Sequence, residues 1–107
     1  MINKTQQQKR NTPGYLYLVV NEWGWRKIGI SRKPPRRIYQ LKRKHKDPSM
    51  HFDGLYKVSN MASCESLMHR LFSEKRVSGE WFDLDNREIQ VFRFFAERME
   101  SGINVLG

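Results

Sequence analysis

Residues 14–41, GYLYLVVNEWGWRKIGISRKPPRRIYQL, decide the fold. Two apolar runs, Tyr15 to Val20 and Lys27 to Ile30, flank a short polar break that contains Gly24. This pattern predicts a β-hairpin. A Pro-Pro pair and a basic, helix-spaced segment follow it. A three-residue loop, Glu22-Trp23-Gly24, places Gly24 at the left-handed position that such loops require. That loop sets the register. Leu16, Leu18 and Val20 then share one sheet face with Ile28 and Ile30. Tyr15, Tyr17 and Val19 share the other with Trp25, Lys27 and Gly29. The first face is plain core. The second mixes phenols, an ammonium and a missing side chain, so function is expected there.

Charge is concentrated just beyond the hairpin. The chain has 107 residues and a formal net charge of +9. Arg26, Lys27, Arg32, Lys33, Arg36, Arg37, Lys42, Arg43, Lys44 and Lys46 fall in one stretch without an acid. Elsewhere cations and acids nearly balance. One such patch is the electrostatic footprint of a polyanion. A solvated basic helix face is the plainer reading. A membrane surface is another anionic partner, but residues 34–46 lack the wide apolar face that it needs. DNA is therefore the expected partner, bound by Arg32, Lys33, Arg36, Lys42, Arg43, Lys44 and Lys46.

The rest of the chain is short and simply organised. Residues 1–13 are polar and basic and read as a flexible arm ended by Pro13-Gly14; residues 14–107 read as a single domain with one modest core. No apolar run is long enough for a transmembrane helix, and no signal-peptide core opens the chain. A cytoplasmic setting is the default expectation. Cys64 is the lone cysteine, which excludes an intrachain disulfide and a cysteine-based zinc site.

Further elements follow in order. Pro34-Pro35 suits a first helical turn, and that helix should end near His45, before Asp47-Pro48. Phe52 to Val58 reads as a third strand, weakened by Gly54. Asn60 caps a helix whose Cys64, Leu67, Met68, Leu71 and Phe72 should face the core, with Glu65 and His69 on its flank. Gly79 breaks the chain, and Trp81 to Leu84 is a short extended piece. Asp85 and Glu88 make a capping box for a last helix that buries Ile89, Phe92, Phe95, Ala96 and Met99. Val91 and Phe94 lie off that stripe. They either widen the buried face or mark a surface for a homodimer or another protein.

Several side chains suit chemistry. A strand tyrosine is most often a packing residue. Tyr17, however, lies diagonal to Lys27 on one face, and a nearby cation favours the phenolate, which can take a proton from water. Gly29, opposite Tyr17, leaves a space that a phosphodiester needs, or allows tight packing. Glu65 is the only acid between Gly54 and Phe72. It sits four residues before His69, a spacing more often seen in a surface pair.

The order of these groups resembles the GIY-YIG nuclease superfamily. The motifs are Tyr15-Leu16-Tyr17, Lys27-Ile28-Gly29, Pro34 with Arg37, Ile38 and Leu41, Glu65 with His69, and Arg76 with Gly79-Glu80-Trp81-Phe82. The Lys-Ile-Gly form is similar to the phage-type branch, the phage open-reading-frame type of DNA-binding domain; Lys27 replaces the second tyrosine of the superfamily's name. The resemblance implies an α/β (α+β) fold with a small, mainly antiparallel three-stranded sheet flanked by helices. It implies a catalytic set of Tyr17, Lys27, Arg37 and Glu65, with Glu65 as ligand of a single Mg²⁺ (or Mn²⁺). Gly29, His69, Arg76 and Glu80 would support it, Glu80 by pairing with a cation such as Arg76. It also selects Arg37 over its neighbour Arg36, which spacing alone leaves open.

The expected function is a metal-dependent DNA endonuclease that hydrolyses phosphodiester bonds. The alternative is a catalytically silent DNA-binding module of the same fold. A small structural or regulatory protein that uses Val91 and Phe94 is the third reading.

Overall fold

The computed structural model describes residues 12–100. Strand β1 (Gly14–Val20) and strand β2 (Arg26–Ser31) form the expected antiparallel hairpin, with Tyr17 opposite Gly29 and Val19 opposite Lys27. Its loop is Glu22-Trp23-Gly24, and Gly24 has φ +82°. Asn21 holds the loop from inside: its Oδ1 accepts from the N–H groups of Trp23 and Trp25. Helix α1 (Pro34–His45) follows, with its prolines in the first turn. It stops at Lys46, which takes the left-handed conformation at φ 50°. Beyond it, the buried Asp47 carboxylate accepts from Glu22 N–H at 2.9 Å and from Ser49 N–H at 2.9 Å. One acid thus ties the end of α1 to the hairpin loop.

Strand β3 (His51–Val58) pairs with β1, with a register shift opposite Gly54. Helix α2 (Met61–Leu71) starts at the Asn60 cap, whose Oδ1 accepts from Ser63 N–H at 3.1 Å. A single 3₁₀ turn leads into β4 (Arg76–Ser78) and β5 (Trp81–Phe82), and helix α3 (Asn86–Met99) follows the predicted capping box. The sheet order is β3-β1-β2-β5-β4, antiparallel throughout. The fold class is as expected, but the sheet has five strands rather than three. The extra pair is a tight hairpin around Gly79: β5 falls within the short extended piece expected at Trp81 to Leu84, and β4, of three residues, is too short for alternation to reveal.

The sheet is covered on both faces. Leu16, Leu18 and Ile28 pack with Cys64 and Met68 of α2, Phe92 and Ala96 of α3, and Phe82 of β5. Tyr17 and Val19 pack on the other face with Leu41 of α1, Met50 and Phe52. Each fully buried Leu or Phe contributes about 1.5–3 kcal/mol of transfer free energy. The second face is therefore core as well as a carrier of polar groups.

The helix faces depart from expectation in one consistent way. On α2, Leu67 and Leu71 are exposed, while Met61 and Glu65 are buried. On α3, Phe95 is also exposed. Both apolar stripes were wider in sequence than the sheet can cover, and contact with the sheet picks one edge of each. Of the expected N-terminal arm, only Thr12 and Pro13 lie within the described residues. Thr12 is tied down there, its carbonyl accepting from Met61 N–H at 3.1 Å. Among the described residues, no helix is long and apolar enough to cross a membrane.

Candidate functional site

The polar groups gather where β2 loses its neighbour. On β2, strand β5 pairs only with Arg26 and Lys27. Beyond that point the edge of β2 needs other partners. Ile28 N–H donates to the Glu80 carbonyl at 3.0 Å, and the Ile28 carbonyl accepts from His69 Nε2 at 2.8 Å. A carbonyl only accepts, so Nε2 carries a proton, and Nδ1 is the nitrogen that faces away from the strand edge. Residues from both sheet faces meet at this edge.

Tyr17 enters from the α1 side and is 1% exposed. Its ring lies over Gly29: a Cβ built on Gly29 falls 2.4 Å from both Cζ and the hydroxyl oxygen of Tyr17. The missing side chain therefore makes room for the phenol itself, not for an incoming phosphodiester. Phe52 meets the ring edge-on at 5.9 Å and limits its retreat. Gly29→Ala is expected to cost about 1–3 kcal/mol by overpacking. Urea unfolding curves of the variant and wild type check this value.

The cation at Tyr17 is Arg37, not Lys27. Arg37 Nε lies 3.5 Å from the Tyr17 hydroxyl, a long hydrogen bond. Lys27 does share the face, as the register requires, but its Nζ donates to Glu80 Oε1 at 2.8 Å. Burial pushes the Tyr17 pKa above its usual value, Arg37 pulls it back, and the carboxylates of Glu80 and Glu65 add to the rise. The net shift is thus opposite to the lowering expected from Lys27, whose ammonium is paired with Glu80. The same pairing replaces the expected Glu80–Arg76 contact; Arg76 instead lies 3.5 Å from His69 Nδ1.

Glu65, expected on an open flank of α2, is buried. One ligand atom each from Glu65, His69 and Glu80 lie within 4.8 Å of one another. Two carboxylates and an imidazole at that spacing form a donor set for a divalent cation. His69 is already oriented for it, because its second nitrogen is fixed on a backbone carbonyl. A cavity of about 690 Å³ opens over this trio, and Ser66, Arg70, Ser73 and Arg76 also line it. Ser66, Arg70 and Ser73 were missed in the sequence, although their helical spacing from Glu65 and His69 was legible. Tyr17, Lys27 and Arg37 do not line that cavity; Lys27 touches the trio through Glu80, and Arg37 touches Tyr17.

The cationic segment divides by role. Arg26 is engaged by Asp53 at 3.2 Å, and Lys27 by Glu80. Arg32, Lys33, Arg36, Arg43, Lys44 and Lys46 are exposed, and Lys42 is half-buried. Cations in the last turn of α1 also suit the helix dipole, so they have a structural use of their own.

A family model described as the T5orf172 domain matches residues 14–96. No curated protein and no solved structure matches the chain.

Proposed function

This chain belongs to the T5orf172 domain family, a group of nucleic-acid-binding or nuclease-like modules, and on that premise we propose that it hydrolyses DNA phosphodiester bonds with a divalent metal ion at a GIY-YIG-like site. The observation that carries this reading is the trio of Glu65, His69 and Glu80 within 4.8 Å, with His69 anchored on Ile28.

The donor set fits the ion that the resemblance implies. Carboxylates suit Mg²⁺ and Mn²⁺, and the imidazole widens the choice toward Mn²⁺. Glu65 is the main ligand, with His69 and Glu80 beside it. When bound, the ion supplies positive charge against the phosphoryl oxygens. Arg37 forks onto the same phosphate and stabilises charge as it develops. Lys27 holds Glu80 in place. Tyr17 receives the proton of the attacking water and is oriented by Arg37 and by the close seat at Gly29. The exposed cations of α1 hold the backbone of the duplex.

One observation favours a second reading, a DNA-binding module without turnover. Tyr17 is almost wholly buried and its pKa is raised, so few phenolates exist at neutral pH. Calorimetric titration with Mn²⁺ separates the two. Wild type should take up one ion, and Glu65→Gln should bind it at least tenfold more weakly. A wild type that binds DNA but takes up no Mn²⁺ leaves only the second reading.

Binding itself has a separate test. The Lys42→Glu, Arg43→Glu double variant should weaken affinity alike for unrelated DNA sequences and reduce the slope of log affinity against log salt by about two. An unchanged slope in fluorescence anisotropy would move the docking surface away from α1.

A further inference from the structure

All three tryptophans of the chain, Trp23, Trp25 and Trp81, line one cavity of about 210 Å³, away from the carboxylate trio. They come from opposite ends of the sequence: the first hairpin loop and strand β5. Trp23 is 69% exposed, and its ring centroid lies 5.5 Å from that of Trp25. His45 meets Trp81 edge-on at 5.7 Å. Two polar side chains of the wall are spent on their own loops. Asp47 accepts from Glu22 and Ser49, and Asn21 accepts from Trp23 and Trp25. With Glu22 and His45 as its other polar members, the wall is mainly aromatic, and the loop that carries Trp23 and Trp25 is fixed by Asn21.

Two features say what would fill it. The segment that supplies His45 and Asp47 to the wall also carries the exposed cations Arg43, Lys44 and Lys46. A flat ring in the cavity would thus have phosphate-binding groups beside it. Trp81 also joins the cavity to the candidate site, because Lys27 Nζ lies 5.8 Å over its ring and pairs with Glu80.

We propose that this cavity binds the base of an unpaired nucleotide by stacking, so that the protein favours single-stranded or locally opened DNA. The inference rests on DNA being the partner. Stacking on aromatic rings tolerates any base, so the preference is for an unstacked nucleotide rather than for a sequence.

Because every tryptophan lines the cavity, intrinsic fluorescence of the full chain reads it directly. The probes are a short thymidine oligonucleotide, an abasic strand with the same number of phosphates, and a blunt duplex. The thymidine strand should quench the emission and bind about tenfold more tightly than the abasic strand, which should bind without quenching. Anisotropy should show Trp23→Ala losing about tenfold for the thymidine strand and nothing for the abasic one. Trp23 is largely exposed, and circular dichroism verifies that the variant folds. Equal affinity and equal quenching for the two strands would overturn the base pocket and leave DNA binding intact. Failure of all three probes to bind at low salt would overturn the DNA reading and this one together. Saturable quenching by tetramethylammonium, without quenching by the thymidine strand, would assign the cavity to a quaternary ammonium and overturn the nucleobase.

Discussion

Glu65→Gln is expected to slow cleavage about a hundredfold or more while sparing DNA affinity. The substitution keeps the shape of a buried side chain but removes the charge that, in the proposed site, would hold the cation together with His69 and Glu80. Loss of one major electrostatic contribution costs about 3 kcal/mol or more at the transition state, a factor of about a hundred in rate. The cations proposed to bind phosphate lie elsewhere, on and beside α1, so anisotropy with duplex DNA should change little. A melting curve separates loss of the site from loss of the fold. The variant should melt no lower than wild type by more than a few degrees, since Gln can accept and donate where Glu only accepts. Full cleavage by a folded Glu65→Gln protein would remove Glu65 from the site.

Tyr17→Phe should show the second large effect, with a different signature. The ring keeps its edge-on contact with Phe52 and its seat over Gly29. What disappears is the hydroxyl and its long bond to Arg37 at 3.5 Å, so stability should fall by about 1 kcal/mol or less. Cleavage should fall by about 10²–10⁴, the usual scale for a positioned proton acceptor. The pH profile identifies the cause. Burial raises the Tyr17 pKa above its ordinary value near 10, so the phenol is protonated across the neutral range. Its base form then grows about tenfold with each pH unit from 7 to 9, and wild-type cleavage should rise with it. In Tyr17→Phe that rise should flatten. Parallel profiles for the two proteins would mean that Tyr17 packs but moves no proton.

The contrast between these residues shows where the sequence was legible. The hairpin register followed from period-two alternation and one glycine, and it correctly brought Tyr17, Lys27 and Gly29 to one face. Helix starts followed from local chemistry, because Asn60 and Asp85 act on N–H groups within three residues. Partnerships across the fold were not legible. Lys27 meets Glu80 from 53 positions away, and His69 meets the Ile28 carbonyl from 41. Neither contact leaves a periodic trace. The first depends on the short β4–β5 hairpin, which carries Glu80 to the edge of β2, and the second on the packing of α2 against β2. The burial of Glu65 was hidden for a related reason. Cys64 and Met68 fit a stripe that includes either Leu67 and Leu71 or Met61 and Glu65, and only the packed sheet selects between them. The seat at Gly29 was half legible: the gap was read correctly, and its occupant was not.

The central claim is metal-dependent hydrolysis of DNA, and turnover of supercoiled plasmid by the purified full chain tests it most directly. The prediction is conversion to nicked and linear forms that rises and saturates with Mg²⁺ or Mn²⁺ and ceases in EDTA. Plasmid that stays supercoiled at every concentration of both ions, with a protein that binds it, would contradict that claim.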